Sequence, residues 1–536
     1  MAEETIGNNL GSTVTDLEID KCMIYSAAGA LDFKNSVAEF NYYEDIFSNF
    51  ASGTLLLNDS TGAQNKLSWS GDEYLELEVN KPKGKNNPKA KPLKGKFRIY
   101  TNTGRHLTKD DNENLLINFV SEEMFISEKM KLSVAYKDMT IGEMVRAIAL
   151  DYLKIPKEDF PIENVEKTLG QFHIVIPKLK PMEAINWLAT KAISEKYGKE
   201  SGASYVFWRD RNGYHFKSLI SIFADVSGGT GNEKLTNQYI NPFSPGERSS
   251  GYWYGIKNAD LSNVGGNNSP VDYDPYMQII SYEVMNTFDT MEAHQRGVFA
   301  NRVLGINYLS RTHAIGDFDY PKYFQYLQSN EFPSPFYKKD PKLDENGNQV
   351  KQNGTPVYEK TGYYNSEPIM SNIYDRANKG HSDYKESTLK IYPSSTTNPS
   401  VEYIKENSPL EAKNRNYIEH TLPYRYAQLS LFNHNRLKMV IPGDPYISVG
   451  KVIYVRIPQT AKGKDNKKLA DRFLTGFYIV SAVRHKLDQE NNFETILEII
   501  KDSYQGRDLN KDGIIGLSSF DNSSVDVRSL VTNNSF

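Results

Sequence analysis

Aromatic and β-branched residues in this chain come in short bursts, each closed off by Gly, Asn, Asp, Ser or Pro. That punctuation forbids long helices and membrane spans and favours many short strands. Tyr74-Leu75-Glu76-Leu77-Glu78-Val79 is the clearest case. Its strict alternation turns Leu75, Leu77 and Val79 to one face, the period of a half-buried strand. Ile19–Ser26, Glu39–Phe47, Thr54–Asn58, Lys96–Tyr100 and Leu115–Val120 read the same way. Six strands at this spacing suit a small antiparallel barrel or sandwich. The 35 Tyr and 25 Phe among 536 residues supply the strand-forming bulk and exclude a disordered acidic chain.

The period then changes. Thr140 with Glu143 forms a capping box, and behind it Ile141, Met144, Val145, Ile148 and Tyr152 share one helical face. A second helix begins at Pro181, with Met182, Ile185, Leu188, Ala189, Ala192 and Ile193 as its stripe and Gly198 as its left-handed stop. Tyr205–Trp208 and Tyr214–Leu219 flank Arg209-Asp210-Arg211-Asn212-Gly213, which predicts a hairpin turned by Asn-Gly. Strand texture returns in Met277–Val284, Val298–Tyr308, Leu437–Ile441, Val452–Ile457, Phe477–Val483 and Phe493–Ile500.

At roughly 100–200 residues per domain, this length predicts about three to five domains. The boundaries read as a polar arm over 1–13, a β unit over 14–128, an inserted α+β domain over 129–225, and a Gly/Asn/Ser-rich linker or loop region over 226–275. A second β unit spans 276–310 and 426–502, interrupted by a Tyr/Pro/Asn-rich excursion over 311–425, and a polar tail covers 503–536. So long a stretch without structure is improbable inside a domain, so the excursion reads as hairpin-rich, with Asp344-Glu345-Asn346-Gly347 turning one hairpin.

Charge and composition narrow the functions. A net charge of −4 speaks against a protein built to grip phosphate backbones. The one cysteine, Cys22, excludes an intramolecular disulfide and a Cys-based zinc cluster and reads as a small apolar strand residue. Met1-Ala2-Glu3-Glu4-Thr5 lacks a basic cap and an apolar run, so no signal peptide is expected. The nine His residues show no metal-ligand spacing, and His215 and His485 read as packing or surface residues. Gly228-Gly229-Thr230-Gly231 lacks the Gly-Lys-Ser/Thr of a phosphate loop. No Gly-x-Ser-x-Gly elbow occurs, and no carboxylate stands out as catalytic. Lys81–Arg98 carries Lys81, Lys83, Lys85, Lys89, Lys91, Lys94, Lys96 and Arg98 without an acid, and reads as a solvated loop or as a dock for an acidic partner protein. Asp508, Asn510 and Asp512, followed by Gly513 and Ile514, match the opening of an EF-hand-type Ca²⁺ loop. Position 12 is Ser519 instead of a bidentate Glu, so a calcium site and a polar turn both stay open, and no other cofactor is called for.

Three groups of segments carry a family resemblance. The first is Lys178-Leu179-Lys180-Pro181-Met182-Glu183-Ala184-Ile185-Asn186-Trp187-Leu188-Ala189 with Tyr205-Val206-Phe207-Trp208 and Gly213 through Leu219. The second is Ile279-Ile280-Ser281-Tyr282-Glu283-Val284 with Asn286-Thr287-Phe288-Asp289-Thr290 and Gly297. The third is Pro442-Gly443-Asp444-Pro445, Val449-Gly450-Lys451-Val452-Ile453 and Gly476 through His485. Over roughly residues 14–310 and 425–502 the chain resembles the central baseplate hub proteins of contractile-tailed, T-even-like bacteriophages.

The resemblance implies a β-rich α+β, multidomain fold with two antiparallel tube-type β-barrels and inserted α+β and hairpin-rich segments. It implies a homotrimeric ring whose six barrels mate with a six-fold tail tube and leave a channel for DNA ejection. The implied partners are the tail tube or tube-initiator protein, the central spike, the tape-measure protein and the baseplate wedge proteins, in a virion assembled in the host cytoplasm. Neither a membrane span nor specific nucleic-acid binding is implied, and there is no catalytic residue to carry over. The excursion and the polar tail depart from the family's length. A tail-associated glycan or peptidoglycan hydrolase, or a glycan-binding tail module, is the alternative reading.

Overall fold

The computed structural model describes residues 17–60, 62–67, 69–80, 93–107, 113–197, 203–222, 253–255, 279–286, 289–307, 311–320, 323, 339–341, 351–352, 355–356, 358–360, 365–368, 380–393, 418–432, 434–444, 447–462, 468–471, 473–490, 492–501 and 503–505. Seven strands open the chain: β1 (Glu18–Ser26), β2 (Gly29–Asp32), β3 (Val37–Asp45), β4 (Ser52–Asp59), β5 (Tyr74–Asn80), β6 (Leu93–Leu107) and β7 (Glu113–Ser121). They pair antiparallel in the order β3-β4-β7-β6-β5-β1-β2. The alternation read at Tyr74–Val79 is realised in β5, where Leu75, Leu77 and Val79 are buried beside Cys22, Ile24, Phe97 and Phe119. Gly53 is required in β4, because a Cβ there would lie 2.2 Å from Phe119 Cζ and 2.4 Å from the Asn41 carbonyl oxygen.

The insert follows: α1 (Glu122–Glu128), β8 (Ala135–Met139), α2 (Ile141–Asp151), β9 (Phe172–Val175), α3 (Pro181–Ala189), β10 (Tyr205–Asp210) and β11 (Gly213–Ser218). The Thr140–Glu143 capping box is present in both directions, and Ile141, Met144, Val145 and Ile148 are buried. Pro181 is the first residue of α3. That helix ends sooner than its stripe predicts. It stops at Ala189, where the Thr190 hydroxyl donates to the Trp187 carbonyl at 2.7 Å and Thr190 N–H is shared between carbonyls, so Ala192 and Ile193 follow outside it. A Thr side chain at that point competes for the last turn's acceptors. Gly198 lies outside the described residues. The β10–β11 hairpin forms, but Arg211 and Asn212 are its turn residues instead of Asn212 and Gly213: Gly213 (φ +122°) pairs with Asp210 as the first residue of β11, so close to the Asp159 carbonyl that a Cβ would not fit.

The remaining chain gives β12 (Trp253–Gly255), β13 (Ser281–Asn286), α4 (Thr290–Arg296), β14 (Ala300–Asn307) and β15 (Thr312–Asp319). Short strands β16 (Lys339–Pro341), β17 (Lys351–Gln352), β18 (Thr355–Pro356), β19 (Tyr358–Lys360), β20 (Asn365–Pro368) and β21 (Leu389–Pro393) come next, then α5 (Ile418–Phe432). The last strands are β22 (Arg436–Pro442), β23 (Val452–Arg456), β24 (Pro458–Lys462), β25 (Lys468–Ala470), β26 (Gly476–Leu487), β27 (Phe493–Ile500) and β28 (Ser503–Gln505). The excursion holds antiparallel pairs β16–β19 and β17–β18, and its β20 pairs with β28. Asp344-Glu345-Asn346-Gly347 lies outside the described residues.

One 13-stranded sheet unites both ends of the chain along the path β13-β22-β27-β26-β3-β4-β7-β6-β5-β1-β2, with β23 on β26 and β12 on β23. The join is antiparallel, β26 against β3, with Ala482 opposite Asp45 and Leu487 opposite Phe40. Arg484 clamps it, donating from Nε (2.9 Å) and Nη2 (2.7 Å) to Asn41 Oδ1. The fold is β-rich with a few helices and several antiparallel sheets, and the described strands pair into an open path. β14, which the sequence reading joins to the second β unit, pairs instead with β15 and with β21 of the excursion in a separate three-stranded sheet. α5 lies against that sheet, and β14 and β15 bury Val303 and Phe318.

Candidate assembly surface

Edge strands expose unpaired backbone groups, and natural proteins cover them or charge them. β13 does neither along its apolar positions. Among the described residues it bonds to β22 on one side only, with Tyr282 opposite Met439 and Val284 opposite Leu437. Met439 and Leu437 belong to the buried core under β22, so Tyr282 and Val284 point to the core side of the sheet. Yet Ile280, Tyr282, Val284 and Met285 are 38–54% exposed. The core under this sheet stops one strand short of its edge. Glu283, on the opposite face, reaches Lys438 only at 3.7 Å.

A second apolar margin lies on the sheet β15-β14-β21. Ile315, Leu304 and Ile391 are register partners across the three strands, and Ile315 and Ile391 are exposed. Ion pairs rim this row: Arg302 grips Asp317 with Nε (2.8 Å) and Nη2 (3.1 Å) and reaches Glu386 at 3.0 Å, while Lys385 stands 3.5 Å from Asp317. The strand after Glu386 is fastened to α4, where the Thr388 hydroxyl donates to the His294 carbonyl at 2.8 Å and the His294 and His381 rings share a 2.7 Å hydrogen bond. Burial, then the neighbouring His381, holds His294 below the usual imidazole range. On the inner face Lys390 Nζ sits 3.3 Å over the Tyr426 ring and Tyr392 meets the Tyr426 hydroxyl at 2.5 Å. Burial lowers the Lys390 pKa, and no carboxylate partners it among the described residues.

Charged groups also gather where the two β units and the insert meet. Glu44 of β3 is buried and accepts a hydrogen bond from Val449 N–H at 3.3 Å. Its pKa is pushed up to about 8 by burial and then by the Asp210 carboxylate. Asp210 is buried too, and that burial pushes its pKa up, but the His215 ring 3.0 Å away, Lys451 and the Asn212 N–H together hold its carboxyl below the ordinary value. Arg209 pairs with Glu123 at 3.1 Å. His485 is fully buried, hydrogen-bonded to the Thr495 hydroxyl at 3.1 Å, and pushed down to about 3 by burial and then by Arg211. This junction fastens three parts of the chain. A separate cleft of about 310 Å³ on the insert is lined by acids and lysines, among them Glu163, Glu195, Lys196 and Lys217.

Of the residues singled out in the sequence, Asp508, Asn510 and Asp512 lie outside the described residues, as do Lys81, Lys83, Lys85, Lys89 and Lys91. The described end of the basic run is engaged within the chain: Lys94 pairs with Glu78 at 3.3 Å, Lys96 lies over the Tyr74 ring at 4.2 Å, and Arg98 pairs with Glu122 at 3.3 Å. Cys22 is buried, and burial pushes its thiol up to about 12. His485 packs in the interior, while His215 is half-buried and stacks on the Trp208 ring. No group of three or more His, Cys, Asp or Glu is placed to hold a metal ion among the described residues. No described helix is long and apolar enough to cross a membrane. Sequence reading missed both apolar margins. For β21 the signal was present, since Leu389-Lys390-Ile391 alternates and ends at Pro393, a residue that edge strands tolerate.

No family model and no curated protein matches the chain. Solved structures similar to it include the tail protein from Neisseria meningitidis MC58 (9% identity, TM-score 0.42, 90% of this chain and 96% of that one). Another is the 43 kDa tail protein of prophage MuSo2 from Shewanella oneidensis (6% identity, TM-score 0.40, 90% and 99%). A third is an E. coli component of the type VI secretion system, described as structurally similar to T4 bacteriophage tail proteins (8% identity, TM-score 0.35, 92% and 79%). Two of these structures are tail proteins, and the third is a secretion component likened to phage tail proteins.

Proposed function

We propose that the chain is a structural protein of a phage-type tail baseplate. Three copies form the central hub ring, which adapts a six-fold tail tube to a three-fold spike and leaves a channel for DNA ejection. In this reading each chain contributes two tube-type β units, and its neighbours are the tube or tube-initiator protein, the spike, the tape-measure protein and the wedge proteins. It works by binding, without catalysis, inside the virion.

One observation carries the reading: two runs of antiparallel strands, from opposite ends of the chain, sit edge to edge in one sheet through β26 and β3. A chain that presents two comparable strand units can offer six of them from three copies. The uncovered core margin at β13 supports self-assembly, since a ring needs one apolar surface and its complement on every subunit. Tyrosine suits such a surface because its ring gives contact area while its hydroxyl tolerates water before assembly. Calcium held by Asp508, Asn510 and Asp512 stands as a proposal on the spacing of those oxygen ligands alone.

The test is solution mass by light scattering with negative-stain class averages. A trimer of the 61.0 kDa chain, seen as a three-fold ring alone or on added tube protein, is the expected outcome. A monomer at every concentration and with every partner would overturn the hub reading.

A further inference from the structure

We propose that the free edge of β13 is completed by β21 of a second copy of this chain, so that successive subunits are joined by a shared, antiparallel strand pair. The inference rests on the ring reading above and names the edges that make the ring.

Both strands end their sheets: β13 bonds only β22, and β21 bonds only β14, among the described residues. They lie in different sheets of the same chain, so neither completes the other within one molecule. Their side chains are complementary in a single register. Setting Glu283 opposite Lys390 in an antiparallel pair brings Tyr282 opposite Ile391 and Val284 opposite Leu389. Leu389 and Ile391 are 49% and 57% exposed, matching the apolar positions left open on β13. A one-residue slip would set Glu283 against an apolar residue and Lys390 against Tyr282 or Val284, so the pattern selects its own register.

The charges fit as well. Among the described residues, Lys390 lies half-buried over an aromatic ring with no acid beside it, and Glu283 has only a distant lysine. A carboxylate delivered by a neighbouring strand would give Lys390 its counter-ion, and the added strand would extend the apolar row Ile315–Leu304–Ile391 by Tyr282. Backbone bonds supply the affinity in such strand addition and alternate side chains supply the choice of partner. Because the two edges differ, the contact is head-to-tail and closes only as a ring.

Cysteine cross-linking on the full chain tests this. Cross-strand neighbours bring Cα atoms within the reach of a disulfide. The native thiol, Cys22, is buried and its high pKa keeps it inert, so the background is clean. Glu283→Cys mixed with Lys390→Cys should give an oxidised dimer, and the double variant a covalent closed trimer, while neither single variant alone cross-links. Trimers by light scattering without any cross-link would overturn the strand contact and leave the hub reading standing. Covalent open dimers and tetramers would support the contact and overturn the three-fold ring, and a monomer throughout would overturn both. As an independent readout, Glu283→Lys and Lys390→Glu should each weaken assembly, roughly two- to fivefold, with the double exchange restoring it. Two single losses that simply add in the double exchange, with no restoration, would count against the pairing.

Discussion

A carboxyl inside a β-sheet must choose between charge and burial, and Glu44 shows which way this chain resolves the choice. Its pKa rises from the ordinary carboxylate value to about 8 because water is excluded and Asp210 is ionised nearby. The folded protein therefore binds a proton more tightly at Glu44 than the unfolded chain does. The stability that this proton gives is complete below pH 4.5 and is lost as pH rises through about 8, at roughly 1.4 kcal/mol per pH unit in that window. Glu44→Gln keeps an acceptor for Val449 N–H and removes the titration. Thermal unfolding of this variant should match the wild type near pH 4.5 and exceed it in Tm at pH 8. A Tm difference that does not change with pH would show that Glu44 does not titrate across this range. His485 works in the opposite window, losing stability as pH falls from 6.5 toward about 3, since its buried ring resists protonation. Between them the two groups confine maximal stability to an intermediate pH.

At the scale of strands and helices, close approach decides more than propensity does. Gly53→Ala would drive a methyl into the Phe119 ring and the Asn41 carbonyl, prying β3, β4 and β7 apart. A loss of about 2 kcal/mol or more is expected in urea titration, against about 1 kcal/mol for Thr140→Ala, which removes only a helix cap. Equal losses would show that β4 can shift to make room. The same contrast explains what could be read in the sequence. Alternation at Tyr74–Val79, the Thr140–Glu143 box, Pro181 and the turn-rich Arg209–Gly213 segment are local signals, and an element forms at each of them. The pairing of β14 with β21 and the position of β13 at an edge depend on residues distant in sequence. No local window records them. Glu44 left a faint trace, an acid at the parity of Phe40 and Tyr42, where a buried apolar residue would be expected.

At the scale of the whole molecule, the two ends of the chain share one interior. Leu487 and Phe493, from the last strands, are buried in the core of the first seven strands. Phe493 also packs where a Cβ on Gly443 would sit, 1.9 Å from its ring. Phe493→Ala should therefore cost about 3–5 kcal/mol and shift one cooperative urea transition as a unit. Two separable transitions, with only the later one moved, would mean that the first strands are stable without their distant partners.

The β26–β3 seam has a consequence for how a cell makes the molecule. A ribosome releases residues 37–45 long before residues 476–487 exist, so β3 emerges with a bare flank and waits for its mate through most of translation. Synthesis therefore ends with a clasp being fastened, and any truncated product carries an open, adhesive hem.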